Sequence, residues 1–227
     1  MLAADCLGVW SVSRQKSRLK RQAVLWIVVF VSAASTETAA QQCFDEAPSV
    51  LAGGNAYETI TPTRLTSTDR KAIEQLFARL EGRWSGNSNG YFCRGRKGAA
   101  RKEADDYRIE MKATRDNPNE LLLTSNMTSK DNTTIRTETL HLFLSDDTLR
   151  VGADDRGGEV RILQLPRGVG ALEFFHKVIS GSASSGGVTV TEILRRIQVS
   201  ATRLTIEFEV YLIGGLASES TWTLTRK

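Results

Sequence analysis

Acid–base, nucleophilic and metal chemistry all need a few side-chain types held close together, and this chain of 227 residues is sparing with them. It has two histidines and three cysteines. His141 stands between Leu140 and Leu142 on a face with Thr139 and Phe143, and the pattern leaves its direction open. His176, in Leu172-Glu-Phe-Phe-His-Lys-Val178, shares a face with Leu172, Phe174 and Val178 that reads as buried. It reads first as a core histidine whose nitrogens are satisfied within the fold, and second as a ligand contact. Neither histidine has a Cys or carboxylate nearby at metal-ligand spacing, so no metal site and no cofactor is expected. Glu207 and Glu209 share a strand face, but alternation with apolar residues turns both to water, where carboxylates do little proton transfer. No Gly-x-Ser-x-Gly elbow is present, and Ser180-Gly-Ser-Ala-Ser-Ser-Gly-Gly187 lacks the Lys and the strand-to-helix setting of a phosphate cradle. It reads as a hairpin loop. With no triad, dyad or metal cluster to assemble, the expectation is a protein that is not an enzyme.

Charge narrows the partners. Lys and Arg number 30 against 26 Asp and Glu, a formal +4. Residues 1–40 supply five of those bases and two of the acids, so residues 41–227 carry only +1. A global electrostatic case for nucleic-acid binding disappears with that subtraction. The local run Arg94-Gly-Arg-Lys-Gly-Ala-Ala-Arg-Lys102 has no interleaved aromatics for base stacking, and Glu103, Asp105 and Asp106 follow it. It reads as a solvated loop; near a barrel mouth it would attract an anionic ligand or headgroup.

The first forty residues read as a signal peptide. Basic residues from Arg14 to Arg21 precede the apolar run Ala23–Ala34, and small residues continue to Ala40. That order is the signature of secretory export, and an apolar core of about twelve residues is short of the roughly twenty that span a bilayer. Cleavage fits after Ala34 or after Ala40. The alternative is an uncleaved anchor, the one case in which a membrane is a partner. Removing residues 1–40 takes Cys6 with it and leaves Cys43 and Cys93. An even count in an oxidising compartment, periplasmic or extracellular, suggests a disulfide between them. Asn126-Met-Thr and Asn132-Thr-Thr would accept glycans in a eukaryotic secretory pathway.

The elements that must position these residues change type along the chain. Residues 41–66, with Gly53-Gly54, Pro48 and Pro62, read as an irregular arm. A helix follows: Ser67 or Thr68 offers the N-cap, Asp69 the first-turn acid, and Ile73, Leu76, Phe77 and Leu80 one apolar face. Beyond Gly82 the period becomes two, most plainly in Tyr107–Ala113 and Leu204–Leu212. Further runs fall at Arg83–Cys93, Leu121–Met127, Ile135–Leu144, Leu149–Val151, Val160–Leu165, Leu172–Ile179, Val188–Val199 and Thr221–Arg226, separated by turn signals. Short links demand antiparallel neighbours, and a long meander removes its exposed edges by closing. The fold expected is mainly β, an antiparallel up-and-down barrel of about ten strands preceded by one short amphipathic helix, over residues 67–227. A two-sheet sandwich is the alternative.

Leu80-Glu-Gly82-Arg-Trp84 and the terminal Trp222-Thr-Leu-Thr-Arg226-Lys227 resemble the lipocalin and calycin superfamily. The resemblance implies a short helix, Gly-x-Trp on the first strand, and an Arg near the last strand packing over that Trp. Trp84 and Arg226 would fill these structural roles, the guanidinium stacking on the indole. The middle-loop motif and C-terminal helix of secreted lipocalins are absent. Nitrobindin-like barrels, a second relative, would ligate haem through a late-strand His, and no His follows His176.

Two functions follow from such a barrel. A barrel of this strand number can enclose a small apolar or amphipathic molecule. Its inward faces would offer Tyr107, Ile109, Met111, Phe174, His176, Ile206, Phe208 and Trp222 as the lining. The alternative is a barrel solid with side chains, serving as a structural or protein-interaction module.

Overall fold

The computed structural model describes residues 43–44, 59–96, 98–152, 158–168, 170–180, 189–212 and 214–227. The expected signal segment 1–40, most of the arm, and residues 181–187 of the serine-rich loop lie outside the described residues. Helix α1 (Ser67–Leu80) comes first. Its N-cap is Thr66 rather than Ser67 or Thr68, because a capping box needs the acid at the third helical position. Asp69 N–H donates to Thr66 Oγ1 at 3.2 Å, and Thr66 N–H donates back to Asp69 Oδ2 at 3.1 Å. Ile73, Leu76, Phe77 and Leu80 are buried on one face.

Eleven strands follow among the described residues: β1 (Gly82–Arg94), β2 (Arg101–Ala104), β3 (Tyr107–Thr114), β4 (Glu120–Ser129), β5 (Ile135–Ser145) and β6 (Thr148–Val151). Then come β7 (Gly158–Gln164), β8 (Leu172–Ser180), β9 (Thr189–Val199), β10 (Arg203–Leu212) and β11 (Gly215–Arg226). Each pairs antiparallel with its neighbours in chain order from β3 to β11, and β11 returns to β1. The long β1 meets β3 along Gly82–Asn87 and β2 along Tyr91–Arg94, so β2 and β3 together occupy one position in the wall. The result is a closed ten-stranded up-and-down barrel. The sandwich alternative fails, because the sheet has no free borders to stack.

Closure runs along nine residue pairs, from Trp84 opposite Arg226 to Phe92 opposite Ser218. The approach is close: a Cβ on Gly86 would stand 2.1 Å from the Thr223 carbonyl oxygen, so only glycine fits. At the foot of this seam sits a clamp. Trp84 Nε1 donates to the Leu80 carbonyl at 2.7 Å, tying the first strand to the last turn of α1. Arg226 lies 4.2 Å over the Trp84 ring and donates to the carbonyls of Glu81 (Nη1, 2.7 Å), Ala201 (Nε, 3.1 Å) and Arg79 (Nη2). Gly82 has φ +131°, and any side chain there would meet Arg226 Nη1. The buried face of α1 and Trp84 plug this end over Leu121, Leu149, Leu172 and Leu204.

Two details of the wall escape the sequence pattern. β6 and β7 share only Arg150–Glu159 and Val151–Gly158, beyond which the wall splits. Residues 63–65 of the arm fill the split: Thr63 N–H donates to Val160 O, Leu65 N–H to Asp147 O, and Ile162 N–H to Thr63 Oγ1. On the outside, Phe175, Tyr211 and Leu216 form a second apolar cluster with Ile60. Phe44 N–H donates to Leu216 O at 2.8 Å, and the adjacent Cys43 is disulfide-bonded to Cys93 of β1.

The seam yields a test. Gly86→Ala forces a methyl against backbone and should destabilise the protein by about 1–3 kcal/mol in urea denaturation. Gly158→Ala meets only ordinary contacts of 3.4 Å and longer and should stay near neutral. Equal midpoints for the two variants would contradict the seam's geometry.

Candidate functional site

Interior width grows with strand number, and at eight strands side chains just fill the space. Ten strands leave more room. Near α1 the extra room is taken by Trp84, Phe77 and the fully buried leucines, and the interior is solid there. Farther from the helix the inward residues no longer meet, and a cavity of about 320 Å³ remains. Its apolar wall includes Met111, Leu123, Leu140 and Val151 on one side and Ile193, Ile206, Phe208 and Trp222 on the other. Val178, 45% exposed, stands at its outer edge.

Three polar groups come from β8, β9 and β11. Arg195 of β9 lies opposite Phe174 of β8 and Phe208 of β10, which places it on the inward face. Its guanidinium carbon is 5.6 Å from the Phe208 ring centre. Phe208 in turn meets Trp222 edge-on at 5.7 Å. His176 of β8 lies 5.9 Å from Phe174. Arg195 Nε, Trp222 Nε1 and His176 Nδ1 are all buried and make no hydrogen bond among the described residues. His176 is therefore not the internally satisfied core histidine of the sequence reading. It borders the cavity with a bare nitrogen, because the strands beside it present Ile193 and Val160 rather than polar partners.

Electrostatics follow from burial. Desolvation, and then the charge of Arg195, push the His176 pKa down to about 3, so its imidazole is neutral at pH 7. Burial also lowers Arg195, to about 10, with the charge of Glu138 opposing the shift. Arg195 thus remains a cation in an apolar chamber. Glu138 lines the same cavity, but its carboxylate is held by Arg136 Nη2 at 2.5 Å. Among the described residues no carboxylate lies within ion-pair distance of Arg195.

The structure sorts the sequence candidates. Met111, His176, Ile206, Phe208 and Trp222 border the cavity. Ile109 and Phe174 face inward but are fully buried in the core and do not border the cavity. Tyr107, at the start of β3, is half-buried against the core, and burial followed by Asp105 raises its hydroxyl pKa. The sequence reading passed over Arg195 altogether. Its signal was present: Ile193, Ile197 and Val199 form a period-two stripe that runs straight through Arg195.

Other chemistry-bearing residues lie outside. His141 is on the face opposite Leu142 and Leu144, with its ring 5.2 Å from Phe143. Glu207 is exposed, but Glu209 is half-buried and accepts the Tyr211 hydroxyl from two residues along the same outer face. In the basic loop, Arg94 and Arg101 both pair with Glu103, at 3.3 and 2.9 Å, and Lys102 sits 4.0 Å over Tyr91. Among the described residues no three His, Cys, Asp or Glu side chains gather into a metal site.

The fold is a closed ten-stranded antiparallel barrel, plugged by one helix where Gly-x-Trp opens the first strand and capped by an Arg over that Trp, the arrangement that the lipocalin resemblance implies. No family model and no curated protein sequence matches the chain. Solved structures do resemble it. The S-type phycobiliprotein lyase CPES from Guillardia theta matches with a TM-score of 0.47 and 13% identity, over 73% of this chain and 98% of that one. A DUF3598-family protein of unknown function from Nostoc punctiforme matches with a TM-score of 0.44 and 19% identity. That match covers 74% of this chain and 50% of the other, so this chain spans about half its length. A redesigned β-barrel, mFAP1, bound to DFHBI matches with a TM-score of 0.33 and 14% identity, over 66% and 97% of the two chains.

The buried imidazole makes stability pH-dependent. His176 binds a proton in the unfolded chain near its ordinary value of 6.5, and in the folded protein only near 3. Its neutral burial is therefore free of penalty above pH 6.5, and stability is lost as pH falls from 6.5 toward 3. The acids whose values folding lowers, Asp69, Asp106, Glu110 and Asp131, start from ordinary values of 4.5 or below. Between pH 6 and 4.5 the unfolding free energy should fall with a slope approaching about 1.4 kcal/mol per pH unit. Urea denaturation of His176→Leu across that window should show a flatter profile. Parallel profiles for the two proteins would contradict a buried neutral His176.

Proposed function

We propose that this chain is an exported, non-catalytic binding protein that holds a small, largely apolar molecule inside its barrel. The observation that carries the reading is the cavity of about 320 Å³, set above a solid core and lined mainly by aliphatic and aromatic side chains. Its volume sits at the lower end of the range for small-molecule sites. A wholly filled interior would have favoured the interaction module instead. Export is supported by the basic, apolar and small-residue order of residues 14–40 and by the Cys43–Cys93 disulfide, a bond that persists in oxidising compartments. The absence of catalytic work is supported by the setting of the polar groups. His176 and Arg195 border one chamber, but among the described residues His176 Nδ1 has no hydrogen-bond partner, so no nucleophile is paired with it.

Titration of the purified protein with the neutral probe N-phenylnaphthylamine tests this reading. Emission should rise and saturate at one site per chain. Ile193→Trp, which fills the chamber from the wall, should abolish the signal while leaving the far-ultraviolet β spectrum intact. No saturable emission with the unmutated protein would overturn the carrier and leave the interaction module.

A further inference from the structure

The polar atoms of the cavity specify more than an apolar guest. Arg195 Nε–H and Trp222 Nε1–H are donors only, since neither a guanidinium nor an indole N–H can accept. Both are buried without a partner among the described residues, as is His176 Nδ1, which takes either role according to tautomer. A buried donor without an acceptor costs free energy in the empty protein, and a guest that supplies acceptors recovers it. A guest lacking acceptors leaves the cost in place. Charge gives the sign. Among the described residues Arg195 is the one cation bordering the chamber, and the carboxylate that shares the wall, Glu138, is engaged by Arg136. His176 brings no charge at neutral pH. Opposite this polar arc the wall is mainly Met111, Leu123, Leu140 and Val151, with Ser125, Glu138 and Thr139 set among them.

Resting on the carrier reading above, we infer that the bound molecule is an amphipathic acid, its apolar body against that aliphatic wall and its carboxylate on Arg195 and the Trp222 N–H. A carboxylate suits a guanidinium because its two oxygens match two parallel N–H groups. The row Arg195, Phe208, Trp222 fixes where that headgroup goes. Phe208 stands between the two donors in ring contact with each, holding the guanidinium over its face and the indole against its edge. The headgroup therefore lies at the β9–β11 side of the chamber. The size sets the body: about 320 Å³ equals the room of about ten water molecules at ~30 Å³ each, which suits a short chain or a bicyclic ring rather than a long lipid.

Displacement of N-phenylnaphthylamine from the full chain by decanoate, decanol and decylammonium tests the inference at neutral pH and low salt. Decanoate should bind about tenfold or more tightly than decanol, with decylammonium weakest. Arg195→Gln should bring the decanoate-to-decanol ratio to about one, and Trp222→Phe should lower it by several-fold. Should Arg195→Gln fail to fold, the ratio measured on the unmutated protein decides alone. If the neutral probe itself does not bind, the carrier reading falls and this inference with it. If the probe binds and decanol displaces it as well as decanoate does, the anionic headgroup is overturned and the carrier stands.

Discussion

The β1–β11 seam is the constraint on which everything else in this molecule depends. A ten-stranded meander that failed to close would expose two long edges and open its inward face to water. Closure demands that the first and last strands, more than a hundred residues apart, come close enough to hydrogen-bond. Gly86 permits the approach and the Trp84–Arg226 clamp fixes its register at one end. The clamp also orders α1, because Arg226 holds the carbonyls of Arg79 and Glu81 at the helix terminus. One guanidinium thus joins the closing seam to the plug. The seam makes the barrel, and the plug makes one end of it dry and solid.

A solid end and a wide wall together produce the chamber. α1 fills the barrel only as far as its four buried side chains and Trp84 reach, and the residues that border the chamber do not close it across ten strands. In such a place Arg195 is costly, since a cation and an N–H donor stand in a largely apolar wall with no carboxylate at ion-pair distance among the described residues. The same low dielectric that keeps His176 neutral strengthens any pair that Arg195 forms with an entering anion. Binding and the cost of the empty site are two sides of one electrostatic fact. The outer face shows the contrasting solution: Lys177 and Glu192 lie opposite each other across β8 and β9, almost wholly buried, and pair at 3.3 Å.

Much of the architecture was legible because it rests on periodicity. Ile73, Leu76, Phe77 and Leu80 announce a helix face, and Tyr107–Ala113 and Leu204–Leu212 announce half-buried strands, since one face of each must leave water. What escaped was set by tertiary contact. Arg101–Ala104 has no apolar alternation, yet becomes β2 because the extension of β1 offers it a free edge. The N-cap moved to Thr66 because Asp69 selects its own partner three residues back. β9 buries parts of both faces, with Val190 and Glu192 facing outward, and this two-sided pattern hides the inward stripe on which Arg195 lies. The cavity lining was legible by face but not residue by residue: period two says that Ile109 and Met111 both point inward, and cannot say that only the second borders the chamber.

The most direct measurement is residue-resolved amide hydrogen exchange on the native protein. With the barrel closed, the amides of β1 and β11 that face each other between Trp84 and Phe92 and between Ser218 and Arg226 exchange as slowly as those joining β4 to β5. Exchange of those seam amides at the rate of an unpaired edge, while β4 and β5 stay protected, would mean an open sheet with no chamber to fill.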